Sequence, residues 1–150
     1  MTIQDERIVG GIGLHYVCCQ ISRRGWIVSL TRKGWKHISR NISGVDIVMR
    51  NKDSTSELTI QIFAVLNSEP IPFGNAIEDS AADFVILCRS IEFDKLKPNS
   101  TYPIPEIFII TKKELINSVI KKTDNDDTSY WLKESEYKTH KDKWEKIGFG

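Results

Sequence analysis

The side chains with the clearest potential for chemistry are an aspartate and a glutamine on two neighbouring predicted strands. Asp46 stands at the start of a strand over residues 45–50, and Gln61 lies inside a strand over residues 58–66. The polar residues between these strands predict a turn, so a hairpin brings the two oxygen-bearing side chains together. Oxygen atoms are the ligands that Mg²⁺ prefers in proteins, and bound Mg²⁺ makes a coordinated water more acidic. Because the pair supplies one carboxylate, it predicts at most a weak metal site.

Hydrophobic periodicity predicts the elements that position these residues. Leu14, Val17 and Ile21 recur at spacings of three and four and predict a helix over residues 9–24. Thr111, with Glu114 three residues later, forms a capping-box pattern that predicts a helix to about residue 122. Strands are predicted over residues 26–30, 45–50, 58–66, 84–88 and 106–110, a break over 69–74, a weak helix over 75–82, an acidic loop over 123–129 and a charged helix over 133–146.

This order of elements predicts an α/β or α+β fold in which residues 1–150 form a single domain. We expect a mixed sheet of about five strands flanked by helices. The length fits one domain, and the contents of 40% hydrophobic and 27% charged residues are typical of a soluble globular protein. No apolar run is long enough to span a bilayer, and the first residues do not form a signal-peptide pattern. Three cysteines without a framework spacing favour a cytoplasmic location over a secreted one.

Several short motifs, in their order and spacing, resemble those of one family. They are Gly13-Leu14-His15-Tyr16-Val17, Ser22-Arg23-Arg24-Gly25-Trp26, Gly44-Val45-Asp46-Ile47, Ile60-Gln61-Ile62, Ala82-Asp83-Phe84-Val85, Pro105-Glu106-Ile107-Phe108-Ile109-Ile110 and Lys143-Trp144. On these motifs, which cover most of the chain, the sequence resembles small bacterial proteins of the PD-(D/E)XK, or restriction-endonuclease-like, superfamily. The resemblance implies an αβββαβ core and an ancestral metal-dependent phosphodiesterase.

The motif positions that perform hydrolysis in that superfamily are mostly replaced in this chain. Asp46 matches the acidic metal ligand, but Leu14 stands where related chains carry a helix glutamate, and Phe63 stands where they carry the lysine. Gln61, at the second acid position, is a neutral and weaker ligand. The resemblance therefore implies a catalytically degenerate protein that needs no cofactor, with Leu14 and Phe63 as core residues.

An alternative interpretation retains a nuclease that depends on Mg²⁺ or Mn²⁺ bound at Asp46, with a relocated catalytic residue. Glu57 lies four residues before Gln61, which is roughly 13 Å along a strand. His15 is offset by about 100° from Leu14 on the helix. Lys52 falls in the hairpin turn, where orientation is poor. None of these positions predicts a well-formed replacement.

A basic segment predicts a second kind of function, which is nucleic-acid binding. Its cations are interleaved with tryptophans, so a phosphate backbone could be clamped while Trp35 stacks on an unpaired base. A solvated loop after a helix end with favourable cations is the alternative. Because the net charge is only +1, any such binding depends on this local patch. The candidate residues are Arg23, Arg24, Arg32, Lys33, Trp35, Lys36 and Arg40.

These patterns together predict a protein that acts by binding. The partner is nucleic acid or another protein, such as a toxin neutralised by an immunity protein or a subunit of a defence complex. The acidic residues 124–127 lack the glycine and distal glutamate of a calcium loop, which favours a solvated loop. Such a loop has the charge to meet a basic nuclease surface.

Overall fold

Two β-sheets and three α-helices form the part of the chain that the computed structural model describes, which is residues 2–31, 44–65, 70–74, 77, 80–94 and 96–150. The elements are α1 (Ile3–Arg23), β1 (Ile27–Leu30), β2 (Ile47–Arg50), β3 (Glu57–Ala64), β4 (Ile71–Gly74), β5 (Phe84–Arg89), β6 (Glu106–Thr111), α2 (Lys112–Ser118), β7 (Ile120–Asp124), β8 (Asp127–Leu132) and α3 (Glu134–Tyr137). Two 3₁₀ turns follow at Lys138–His140 and Trp144–Lys146.

The larger sheet has five strands in the order β1-β2-β3-β5-β6. Strands β3 and β5 are parallel, and every other neighbouring pair in this sheet is antiparallel. The predicted α+β class and the mixed five-stranded sheet are therefore confirmed. The predicted hairpin is also present, since β2 pairs with β3 from Ile47–Ile60 to Arg50–Glu57.

Helix α1 covers one face of this sheet and buries the first core. Alternate residues of β3, β5 and β6 face it, because side chains along a strand alternate between the two faces. Gly13 lets the helix approach closely, since a Cβ built there would lie 2.8 Å from the Cβ of Ala64. The buried residues of the first core include Leu14, Val17, Ile21, Ile60, Ile62, Ile86, Cys88, Ile107 and Ile109.

The opposite face of the five-stranded sheet carries the second core. The smaller sheet, in the order β4-β8-β7, contributes Ile71 and Leu132 to it, and α2 contributes Leu115. The larger sheet contributes Val85, Leu87, Phe108 and Ile110. One sheet is thus covered by a helix on one side and mainly by a second sheet on the other.

The smaller sheet was not predicted, and it replaces three predicted features. Residues 71–74 form β4 instead of a break, with a register shift between Pro72 and Gly74. Helix α2 ends at Ser118 instead of about residue 122, because β7 begins two residues later. The predicted acidic loop over residues 123–129 is wrong, since this stretch belongs mostly to the β7–β8 hairpin. The predicted weak helix over 75–82 lies largely outside the described residues, and residues 80–82 are not helical.

The predicted helices at the two ends of the chain also differ from the structure. Helix α1 begins at Ile3 instead of residue 9, because Thr2 and Asp5 form a reciprocal capping box. The predicted final helix over 133–146 is wrong, since only Glu134–Tyr137 is α-helical. The rest of this segment lies along the edge strand β6, where the Asp142 N–H donates to the Ile107 carbonyl at 2.9 Å. The edge strand offers its backbone groups to this segment, and that tertiary contact overrides helix propensity.

Candidate functional site

Asp46 lies immediately before β2, at the point where the pairing of β2 with β3 ends. Its backbone N–H donates to the Ile60 carbonyl at 2.8 Å, and its Oδ2 accepts from the Ile62 N–H at 2.8 Å. These two bonds flank Gln61, so the structure brings Asp46 beside Gln61 as the sequence predicted. The carboxylate serves a β3 backbone group beyond the last paired residue of β2, which is a structural task.

Gln61 and Phe63 point to the same face of the sheet by strand alternation. Gln61 is 7% exposed. The Phe63 ring packs edge-to-face on the Phe73 ring of β4, with 4.7 Å between centroids and an interplanar angle of 75°. Phe63 thus adds to the second core at the position where the resemblance expects a lysine.

Leu14 is fully buried in the first core, on the other face of the sheet from Phe63. The structure therefore does not bring these two replaced positions together. Both side chains are core residues, as the sequence predicted, but each belongs to a different core. Neither Leu14 nor Phe63 has a polar side-chain group that could act together with Asp46.

The positions considered for a relocated catalytic residue lie elsewhere. Glu57 pairs with Arg50 at 2.7 Å, at the end of the hairpin away from Asp46. His15 and Lys52 are exposed, and Lys52 lies in the turn after β2. Within the described ranges, no group of three histidine, cysteine, aspartate or glutamate side chains is arranged to hold a metal ion.

The structure describes two of the seven residues of the basic segment that are candidates for nucleic-acid binding. Arg23 is exposed at the end of α1. Arg24 donates to the Gln20 carbonyl at 2.9 Å and stacks on the Trp144 ring with 4.3 Å to its centroid, so this guanidinium anchors the C-terminal segment. Arg32, Lys33, Trp35, Lys36 and Arg40 lie outside the described residues. Nucleic-acid binding by this segment stays a prediction.

The acidic residues 124–127 form a tight turn rather than a broad loop. Asp124 pairs with Asp127, and the two residues between them have positive φ, 46° at Asn125 and 68° at Asp126. Two consecutive positive φ values are typical of a type I′ hairpin turn. The Asn-Asp pair was a usable signal for this hairpin, because both residue types tolerate the left-handed region.

A cluster of three ionisable side chains ties the C-terminal segment to α2 and β6. The Lys146 Nζ donates to both Glu114 carboxylate oxygens at 2.9 and 3.0 Å, and to the Ile109 carbonyl at 2.9 Å. It also lies 2.8 Å from the His140 Nδ1. Burial alone would raise the pKa of Glu114, but the bonds from Lys146 and Thr111 outweigh it and lower this pKa to about 2. Burial and the Lys146 charge lower the pKa of His140.

A charged cleft that sequence reasoning missed lies where β5 ends and β6 begins. It encloses about 320 Å³. Arg89 and Ser90 come from the end of β5, Glu106 from the start of β6, and Lys138 and Lys141 from the C-terminal segment. The usable signal was the polar pair Arg89-Ser90 directly after a buried strand. The two lysines gave no such indication, because they fell within the predicted charged helix over 133–146.

Two of the three cysteines, Cys18 and Cys88, pack in the first core, whereas Cys19 is exposed. All three are free thiols, and Cys88 is fully buried in the first core. Burial raises the pKa of the Cys88 thiol to about 12 and that of Cys18 to about 11. A thiol with such a pKa is a poor nucleophile near neutral pH.

Comparisons with protein-family models, with curated proteins and with solved structures give no match for this chain. None of the described helices combines the length and apolar content that crossing a bilayer requires.

Proposed function

We propose that this protein acts by binding, on a scaffold in which the PD-(D/E)XK-like catalytic positions have become structural. The observation that carries the proposal is the bond from the Ile62 N–H to the Asp46 carboxylate, which uses the retained acidic residue to complete β3. The packing of Phe63 against Phe73 and the burial of Leu14 support it. Replacing ionic groups by well-packed apolar ones is often stabilising where no function requires the charges.

The partner we propose is a macromolecule, either a protein or a nucleic acid. A toxin neutralised in an immunity pair and a subunit of a defence complex are the protein partners that suit a non-cutting relative of a nuclease. Arg23 supports the nucleic-acid partner, because it is exposed and directly precedes the basic segment's other cations in the chain. We place this activity in the cytoplasm, on the grounds of the three free thiols and their spacing.

The first test is a calorimetric titration of Mn²⁺ and of Mg²⁺ into the native protein, Asp46→Asn and Asp46→Ala. Asparagine keeps an oxygen that accepts from the Ile62 N–H, so Asp46→Asn separates loss of charge from loss of the structural bond. We expect the three proteins to give the same metal response. We also expect Asp46→Ala to lose about 1–2 kcal/mol of unfolding free energy and Asp46→Asn to lose less.

Metal binding in the micromolar to low-millimolar range that both variants abolish would overturn the proposal. It would favour the alternative, a nuclease dependent on Mg²⁺ or Mn²⁺ with a relocated catalytic residue. Metal-dependent cleavage of DNA or RNA that Asp46→Asn removes would decide for that alternative.

A second experiment separates the two kinds of partner. A gel shift with nucleic acid that weakens steeply with salt would identify a nucleic-acid binder. In that case Arg23→Gln should reduce the slope of log affinity against log salt concentration by about 1, the value expected for one lost phosphate contact. Arg7→Gln, an exposed control near the other end of α1, should leave this slope unchanged. Absence of a shift, together with a protein that co-purifies in a fixed ratio, would identify a protein partner.

A further inference from the structure

The charged cleft at the end of β5 has the features of a ligand-binding site. Its volume of about 320 Å³ lies at the lower end of the range for small-molecule sites. Three cationic side chains and two carboxylates line it, and they come from three separated parts of the chain. The cleft is distinct from the Asp46 region, and its role does not depend on the proposed binding function.

Arg89 is held in position by a rigid aromatic pair. The guanidinium donates a hydrogen bond to the Tyr137 hydroxyl and lies 5.6 Å from the centre of the same ring. Tyr137 is 2% exposed and packs edge-to-face on Phe108, with 4.9 Å between centroids. A half-buried arginine supported by packed residues is pre-organised for recognising a ligand.

Ser90 contributes a second local constraint. Its φ of 58° lies in the left-handed region, which is unfavourable for a residue with a side chain. Its hydroxyl donates to the Glu106 Oε1 at 2.5 Å. This bond, with the nearby Lys141, lowers the pKa of Glu106 despite partial burial, so the carboxylate is ionised at neutral pH. Uncommon backbone conformations of this kind cluster at functional sites.

Lys141, which also lines the cleft, is held only weakly. Its Nζ lies 3.4 Å from Glu106, and the two side chains are 50% and 41% exposed. An exposed ion pair at this distance contributes little to stability, so a ligand can recruit this lysine at low cost. Lys138 lines the same cleft and is exposed. The three cations exceed the two carboxylates, Glu106 and Glu134, by one positive charge.

We propose that this cleft binds a small ligand through an oxyanion group, a carboxylate or a phosphate. Arg89 supplies a planar fork of donors that matches both groups, and the two lysines supply flexible charge. The carboxylates of Glu106 and Glu134 limit the excess charge and favour a ligand that carries a hydrogen-bond donor or an ammonium group beside its oxyanion.

The test is an amide-resolved NMR titration of the whole chain with inorganic phosphate and, separately, with acetate, with ionic strength held constant by chloride. We expect saturable shifts at Ser90 and Lys138. Tighter binding of phosphate would indicate a phosphorylated ligand, and tighter binding of acetate a carboxylate ligand. Saturation by neither probe, or equal shifts with chloride alone, would overturn the proposal.

Matched variants make the site assignment specific. Lys138→Gln should weaken binding of the better probe about tenfold, as expected for loss of a charge-assisted bond. Lys143→Gln, an exposed lysine of the same segment that does not line the cleft, should leave binding unchanged. Because both lysines are exposed, neither variant is expected to impair folding. An equal loss in the two variants would show that the protein's general charge, not this cleft, attracts the anion.

Discussion

The two faces of the five-stranded sheet are closed in different ways. On the α1 face, closure is apolar and tight, with Leu14 fully buried and Gly13 allowing the helix to lie directly on β3. The opposite face is covered mainly by a small sheet, and at the end of β5 it opens into the charged cleft that contains Arg89. The helix glutamate expected from the resemblance would fall on the closed face. The ligand site that we propose lies on the second face.

The most severe test of this contrast between the two faces is to introduce a glutamate at Leu14. We expect Leu14→Glu to lose at least about 4 kcal/mol of unfolding free energy, because it removes a packed side chain and buries a carboxyl group in the first core. In the folded variant the pKa of this carboxyl would lie above its unfolded value, so stability should fall further as pH rises above about 4.3. Urea unfolding at several pH values measures both effects.

The control for this variant is Leu14→Met, a swap of similar volume that should cost less than about 1.5 kcal/mol. If Leu14→Glu were as stable as Leu14→Met and gained Mg²⁺ affinity, the α1 face would still contain an open catalytic cleft. The contrast between the faces would then be wrong.

Two glycines of α1 test whether the helix lies in close contact with β3. An alanine Cβ at Gly13 would lie 2.8 Å from the Ala64 Cβ, whereas nothing lies within 4 Å of a Cβ at Gly11. We expect Gly13→Ala to lose about 1–3 kcal/mol through overpacking and Gly11→Ala to gain about 0.5–1 kcal/mol through helix propensity. Opposite signs in urea unfolding would support tight apolar closure, and equal signs would contradict it.

A smaller loss than those of Leu14→Glu and Gly13→Ala is expected when the polar contacts around α2 are changed. The pKa of Glu114 is lowered to about 2 by its bonds to Lys146 and Thr111, although burial opposes them. Its contribution to stability is therefore fully present above about pH 4.5 and is lost as pH falls toward about 2. Glu114→Gln can keep the capping box but loses the charge, so we expect its unfolding free energy to be about 1 kcal/mol lower at pH 7. We also expect its unfolding free energy to fall less steeply than that of the native protein as the pH is lowered.

Acid titrations of unfolding free energy check this expectation, with exposed Glu145→Gln as the matched control. If Glu145→Gln reduced the acid dependence of the unfolding free energy as much as Glu114→Gln, the cause would be general charge repulsion instead of a specific pair.

Elements that are specified locally were predicted well from the sequence. The capping box of Thr111 and Glu114 predicts the start of α2 correctly, since both bonds form within one turn. The continuous apolar run of β5 predicts a buried strand, and the structure buries five of its residues from Phe84 to Cys88. The prediction that Asp46 and Gln61 are neighbours was also confirmed, because a short polar turn leaves few ways to connect two strands.

Elements that depend on distant partners were missed. Strand β7 contains Lys121 and Lys122, which suit a helix end as well as a strand, and its strand conformation depends on pairing with β8. Pro72 indicated a break, but β8 accepts β4 as an edge strand in which a proline is tolerated. The cleft was not predicted for the same reason, since Arg89 and Lys141 are far apart in the chain and line one cleft because residue 141 bridges to Phe108 of β6.

The contact between the end of α1 and residues 148–150 affects the order in which the fold can form. The Trp26 indole N–H donates to the Gly148 carbonyl, 122 residues away, and the Gly150 N–H donates to the Arg24 carbonyl. The ribosome synthesises Trp26 122 residues before this hydrogen-bond partner. The junction of α1 and β1 therefore cannot form this bond until the segment that carries Gly148 has been synthesised, which makes it a contact of high sequence separation that forms late.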